Sequence, residues 1–445
     1  MISYLLSVTR RMNLQLIFTI VFFQCLLAPL EANALPAFAR QTGQNCIACH
    51  AGGQFPELTP FGRLFKLTGY TLGNKNSPSV AVMGVGSFTK TSDPTVDAAF
   101  AKDAAAIFQT GSVFVAGKVA DNVGMFAQAS YNPYDNQNTP TGRWQGKWSS
   151  DNVDLRYVQQ LNAYQQNLQV GLSLNNNPTV ADPWNTAPAW LQYVPTQFGV
   201  TGPDASPIVT QLGAQVAGLS AYAFINQTLY VELAAYQTAN GVWSFLSKGN
   251  SNADQVKLKG TNPYLRVALS RNWGPHNAMV GAFALNANIY PNNLAPSGPA
   301  TAYRDRGVDA QYQYLMDAHA ATLQLSYINE AISNGDVTGI ATYAINRLDQ
   351  FRAKASYVHQ ATFGTSISYF NTTGSADSTL YPDPANSPGT RGWIPEIFWI
   401  PVQNIRVGTQ YFAFNRFHGA NSNYDGAGRS ASSNNTLFAY VWAAY

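Results

Sequence analysis

Two thiols and an imidazole stand within five residues, in Cys46-Ile47-Ala48-Cys49-His50. The C-x-x-C-H spacing is the attachment signature of a c-type haem. Its chemistry explains the spacing. Each thiol adds to one vinyl group of the porphyrin, and the neighbouring imidazole reaches the iron from one face. The same two cysteines could in principle serve zinc or a thiol–disulfide pair. Zinc sites want four ligands, and no second Cys pair completes the set. A thioredoxin-like motif needs a βαβ context, and none is legible around residue 46. The expectation is therefore one covalently attached haem c, with Cys46 and Cys49 as the thioether positions and His50 as the iron ligand. Electron transfer of this kind needs no catalytic acid or base, and no such residue is assigned.

The elements that hold this cluster must be small. From Leu35 to Pro78 the chain is mixed in composition, and near 40 residues a domain usually needs a metal, a disulfide or a partner to stay folded. One short helix is legible after the motif. Thr59 is a cap, Pro60 suits the first helical position and Gly69 suits the stop. Phe61, Leu64 and Phe65 then share one apolar face, which is expected to pack on the porphyrin. Arg40, Arg63 and Lys66 either pair with haem propionates or are solvated surface charges; the sequence leaves both open. The sixth iron ligand is not fixed by spacing. Met83, Met125, Met279, Met316, His276, His319, His359 and His418 are candidates, as is an open or water-bound position.

Residues 1–34 read as a secretory signal. Arg10 and Arg11 give the positive start, Leu14 to Leu30 is mostly apolar, and Ala32-Asn33-Ala34 is a small-residue cleavage site. A transmembrane anchor is the competing reading, against which Gln15, Gln24 and Pro29 interrupt the run. Cleavage would leave a chain starting at Leu35. Cys25 falls inside the signal, so no disulfide framework follows from the three cysteines.

Composition says what carries this segment. Only 11% of the 445 residues are charged, while the chain has 24 Phe, 24 Tyr and 9 Trp. That balance argues against a cytoplasmic globule and against disorder. The net charge is +3 and no basic run exists, so nothing marks a nucleic-acid partner. No later stretch offers about 20 consecutive apolar residues, so a membrane can be crossed only by a closed barrel.

The remainder, residues 79–445, has a uniform barrel texture. Segments of about ten residues alternate apolar and polar between turn-rich stretches. Leu168, Val170, Leu172 and Leu174 alternate with Gln169, Gly171, Ser173 and Asn175. Leu265, Val267 and Leu269 do so with Arg266, Ala268 and Ser270. Period two with one polar face puts lipid outside and water inside. Sixteen segments follow, among them 80–90, 123–131, 152–162, 212–225 and 435–445. The fold expected is all-β: a sixteen-stranded antiparallel transmembrane β-barrel with a small N-terminal monohaem c-type cytochrome segment over 35–78. Connections alternate between short ones, such as 120–122 and 401–404, and long ones, such as 132–151 and 176–211. Short turns face the periplasm in such barrels, so the haem segment enters from that side. A soluble sandwich or propeller would need a repeated blade motif, which is absent. Arg266, Arg352, Lys354 and Arg406 are expected to line a wet lumen, and His276, His319 and His359 to sit at periplasmic turns. The aromatic loop from Asn175 through Trp184 to Trp190 either folds inward or shields the outer mouth.

The stretches Pro36-Ala37-Phe38-Ala39-Arg40-Gln41-Thr42-Gly43, Cys46 to His50, Pro56-Glu57-Leu58-Thr59, Phe61-Gly62-Arg63-Leu64-Phe65-Lys66 and Gly69-Tyr70-Thr71 form a distinctive series. The series resembles the fused outer-membrane monohaem cytochrome–porins, the family of iron(II)-oxidising outer-membrane cytochromes. The motif resemblance covers residues 36–71; beyond it the likeness is architectural. It implies a chain of the cell outer membrane, surrounded by lipid, that takes electrons from an extracellular donor such as iron(II). It also implies that they pass to a periplasmic carrier such as a soluble cytochrome c. A hydrocarbon layer of about 30 Å exceeds one haem. The group must therefore sit within the lumen, or a second redox partner must complete the path. The alternative function is a diffusion porin in which the haem segment acts as a plug or sensor.

Overall fold

The computed structural model describes residues 37–53, 57–93, 105–138, 140–163, 166–186, 205–249 and 255–445. The signal reading of 1–34, Pro56 of the series above, and the loop tip containing Trp190 lie outside the described residues.

Alternation along the chain produces strands that close on themselves. The first eight are β1 (Ser79–Thr91), β2 (Ala105–Ala120), β3 (Val123–Asn138), β4 (Arg143–Ala163), β5 (Gln166–Asn175), β6 (Val216–Ile225), β7 (Leu229–Thr238) and β8 (Asn262–Trp273). The second eight are β9 (His276–Ile289), β10 (Thr301–Leu315), β11 (His319–Ser333), β12 (Ile345–His359), β13 (Phe363–Gly374), β14 (Thr390–Val402), β15 (Ile405–Arg416) and β16 (Thr436–Ala444). Each pairs antiparallel with its sequence neighbours, and β1 pairs with β16, so the sheet has no edge. Closure satisfies every ladder inside the sheet, which hydrocarbon requires.

The outer face carries the apolar set. On β16, Leu437 and Val441 point outward while Phe438, Tyr440 and Trp442 point inward. On β14, Trp393, Ile397 and Trp399 are exposed and Glu396 and Phe398 are buried. Trp273, Tyr312, Tyr357, Phe363 and Trp399 stand outward near the short turns, and Tyr327, Trp393 and Tyr411 nearer the other end. These are the aromatic girdles of a lipid-spanning barrel.

All sixteen expected segments are strands, and the alternation of short and long connections holds with one exception. Residues 132–151, expected to be a long connection, instead extend β3 and β4 as a hairpin with a tight turn near Gly142. A second difference lies at β6, expected from 212. Ile208–Gln211 is a helical turn, and the strand begins at Val216.

Two segments of the chain enter the lumen. The segment before β1 contributes α1 (Ala37–Thr42), α2 (Cys46–Cys49) and α3 (Pro60–Leu67). Within Leu35–Tyr445 these belong to one compact unit with the barrel. Ala37 packs on Ala81 and Ala116, with Phe38 against Phe114 and Phe126. Leu67, at the end of α3, is fully buried with Val158, Trp184, Tyr222, Tyr230 and Met279. The connection after β5 also turns inward, through α4 (Pro178–Ala181) to Trp184, which is 1% exposed.

Candidate functional site

The C-x-x-C-H cluster is held by its own sequence neighbours. Asn45 precedes α2, a single helical turn on which Cys46 and Cys49 fall three residues apart and hence on one face. Three hydrogen bonds stitch this turn to the start of α3. The Thr59 amide donates to the Cys49 carbonyl at 2.9 Å, and the Ala51 amide to the Glu57 carbonyl at 2.9 Å. The Thr59 hydroxyl donates to the Ala48 carbonyl and accepts from the Gly62 amide at 3.1 Å, which caps α3. His50 and Leu58 form an isolated antiparallel bridge. At Gly62 the two backbones touch. A Cβ there would fall inside van der Waals contact of the Cys49 carbonyl oxygen. Gly69 ends α3 with φ +70°, and any side chain on it would strike Val158 of β4.

No disulfide joins Cys46 and Cys49; Cys46 is buried, Cys49 half-buried, and His50 half-buried beside them. Burial pushes the Cys46 thiol up. Burial first, and the neighbouring Cys46 second, push Cys49 to about 11. Both are thus thiols at neutral pH. Among the described residues no three His, Cys, Asp or Glu side chains gather to hold a metal ion. Two neutral thiols on one helical turn, followed at once by an imidazole, fit the donor set that haem attachment demands. A cavity of about 450 Å³ at the mouth is lined by Gly43, Ile47, Ala48, Met316, His319 and Val358. It borders the turn through Ile47 and Ala48, its middle residues.

The cluster sits at the short-turn end. The Cys46 amide donates to the Gln403 side chain in the β14–β15 turn at 3.2 Å. The space a side chain on Gly52 would need is taken by Val358 of β12. Glu57 pairs with Lys354 two inward positions above. From there α3 runs into the barrel. Arg63 donates to the Gln313 side chain at 3.0 Å, to Asn277, and to the Leu58 carbonyl at 2.6 Å. Lys66 donates to the carbonyls of Val180 and Asp182, the latter at 2.9 Å. Beyond it, the Tyr70 hydroxyl donates to Asp154 at 2.6 Å, and Arg156 bonds Asp154 at 2.8 Å. Burial holds Arg63 down at about 9. Burial first, then the repulsion of Arg156, holds Lys66 at about 8.

These contacts correct several readings of the sequence. Arg63 and Lys66 are not solvated surface charges; both are buried and bolt the segment to the wall and the inward loop. Arg40 donates to the Val80 carbonyl of β1. Of the expected apolar face, Phe65 packs on Phe38 and Tyr70 while Phe61 is exposed. The lumen cations do not line open water. Arg266 bonds Asp309 at 2.6 Å and Asp182 at 3.2 Å, Lys354 pairs with Glu57, and Arg406 bonds Glu396 at 2.8 Å. Arg352 is also buried and faces inward.

Of the sixth-ligand candidates on strands, only Met83 and Met279 face inward. Met279 is 2% exposed and packed on Leu67, and Met83 lies beside Trp442 and Ala444. Met125 lies on the face opposite Phe126, which packs inward on Phe38. His276, His319 and His359 stand at the outer rim. Met316 lies in the β10–β11 turn, and His418, in the β15–β16 connection, pairs with Asp383 of the β13–β14 connection. The sequence reading missed Glu57, Asp154, Arg156, Asp182, Asp309 and Glu396 as partners in the lumen. A usable signal was present at Asp154 and Arg156, opposite charges two apart on one face of β4.

No family model matches the chain, and no curated protein does. Solved structures do. The Salmonella typhi OmpF complex with daunomycin is similar with a TM-score of 0.50 at 12% identity, covering 83% of this chain and 98% of that one. The outer-membrane channel DcaP of Acinetobacter baumannii gives 0.45 at 12%, covering 84% and 99%. A loop-deletion mutant of the Vibrio cholerae outer-membrane protein OmpT gives 0.45 at 9%, covering 83% and 100%. The likeness to OmpF is one of fold. With the closed sixteen-stranded sheet and its outward apolar face, it makes this chain a porin-like barrel of the outer membrane.

Proposed function

We propose that the chain is an outer-membrane cytochrome–porin. It takes electrons from an extracellular donor, iron(II) foremost, through one haem c and hands them to a periplasmic carrier such as a soluble cytochrome c. One observation carries this reading: the C-x-x-C-H turn is wedged inside the mouth of the barrel, at the end the short turns define. Bound through Cys46 and Cys49 with His50 on the iron, haem would supply a one-electron couple. The protein's own part is placement. Thr59 and Gly62 hold the turn against α3, and Glu57, Arg63 and Lys66 fix α3 to five parts of the wall and inward loop. The site lies at the short-turn mouth, where a periplasmic carrier would meet it; an extracellular donor would reach it through the lumen or through a second redox partner.

Rapid reduction of the purified, haem-loaded protein by iron(II) in a stopped-flow spectrometer tests the proposal. His50→Ala should abolish it, because the iron loses its proximal ligand. Slow reduction by iron(II) in the wild type would reject iron as donor, and fast reduction in His50→Ala would reject the ligand. A diffusion porin with the segment as plug or sensor is the second reading, favoured by the segment's place in the lumen. Planar-bilayer conductance separates the two. Removing residues 37–78 should open the barrel in either case, but only the plug reading requires the intact protein to open under some condition.

A further inference from the structure

At the short-turn rim, β11 and β12 bring His319 and His359 directly opposite one another. Both stand on the outward face, exposed, at the level where Tyr357 marks the girdle. Their ring centres are 5.3 Å apart and the planes are inclined at 46°. The Nδ1 of His319 is hydrogen-bonded to the Tyr357 hydroxyl at 2.6 Å. That bond orients the ring and leaves Nε2 as its remaining nitrogen, the arrangement in which an outer partner fixes a metal-binding imidazole. Distance selects the ion. A tetrahedral ion with Zn–N bonds of about 2.0–2.1 Å sets the centres of two coordinated imidazoles roughly 5 Å apart. A right-angled pair in a square plane would bring them nearer, to about 4.5 Å.

We propose that His319 and His359 form a two-imidazole site for a divalent cation of the zinc type, outside the barrel at the headgroup level. Among the described residues no third His, Cys, Asp or Glu joins them, so water fills the other positions and the ion exchanges freely. The barrel contains its own control. His276 makes the same kind of bond to a tyrosine, Tyr312 at 2.7 Å, one strand pair away. Its ring instead stacks on Trp273, with centres 5.5 Å apart, and no second imidazole faces it. The pairing rests on these two rings alone and not on the haem reading, although His319 also lines the mouth cavity beside the C-x-x-C-H turn.

The test uses the full-length protein in detergent, titrated with Co2+ near pH 7.5 and followed by the visible absorption of tetrahedral cobalt, then displaced with Zn2+. One saturable equivalent is expected. It should vanish in His319→Ala and in His359→Ala and persist in His276→Ala. Tyr357→Phe should weaken it about tenfold or more. Heat-modifiable gel mobility confirms that each variant is a folded barrel. No saturable signal in the wild type, equal binding in the His319→Ala/His359→Ala double variant, or loss in His276→Ala would each overturn the assignment.

Discussion

Gly62→Ala sets two local rules against each other. Gly62 lies inside α3, where alanine is favoured over glycine by about 1 kcal/mol. Helix propensity alone therefore says that the variant is stabilised. The tertiary contact says the reverse. A Cβ at residue 62 would sit 2.9 Å from the Cys49 carbonyl carbon and 3.0 Å from its Cα, where carbon atoms prefer about 3.5–4.0 Å. The neighbour is backbone, so it cannot swing aside, and α3 must back away by about 0.5–1 Å. That movement strains the Thr59 cap and draws Arg63 and Lys66 off their wall acceptors. Overpacking of this kind costs about 1–3 kcal/mol, and each charge-assisted bond weakened adds to it. Net of the helix gain, about 2 kcal/mol remains, roughly a thirtyfold shift toward the undocked segment. The assay is haem content per folded barrel, read from haem stain against heat-modifiable protein, with the frequency of open channels in a bilayer as a second measure. Lys75→Ala, at an exposed position after the same helix, should leave both unchanged. A Gly62→Ala protein that loads haem as well as the wild type and stays closed would refute the argument that backbone contact dominates.

Arg266→Met removes the guanidinium that Asp182 and Asp309 share, with its side chain fully buried. Breaking such a pair costs about 3–5 kcal/mol, so the inward loop should loosen and thermal unfolding in detergent should begin earlier; an unchanged profile would contradict it. Lys66 gives a pH signature. An undocked Lys66 titrates near 10.5 and the docked one near 8, so between these values the undocked state binds more protons. Docking should therefore tighten as pH rises from about 8 to about 10.5; below about pH 7 this group's penalty is fully present and no longer varies with pH. Open-channel frequency in bilayers should fall across that window, and a rise would oppose the reading.

The strands were legible because their signal is local. Period-two alternation survives in Leu168–Asn175 and in Tyr264–Ser270 regardless of what the lumen holds. The β3–β4 hairpin was not, because Asn132-Pro133, Asp135 and Asn136 carry turn chemistry. Strands that project beyond the lipid can bear polar residues on both faces, so polarity there does not end the sheet. The start of α3 was equally local: Thr59, Pro60 and Gly69 cap, begin and stop it where the sequence says.

Sequence alone thus determined sixteen strands, their two faces, the short turns and the thiol–thiol–imidazole cluster. Each depends on residues within a few positions of one another. Only the tertiary structure decided that the N-terminal segment lies inside the barrel, and that Arg63, Lys66 and Lys354 secure it there. Those partners are Asn277, Gln313, the carbonyls of Val180 and Asp182, and Glu57, between about 110 and 300 residues away along the chain. An inward cation reads the same whether it meets water or a carboxylate. The difference is made by closure of the sheet, which shuts charges into a space with too little water to solvate them singly.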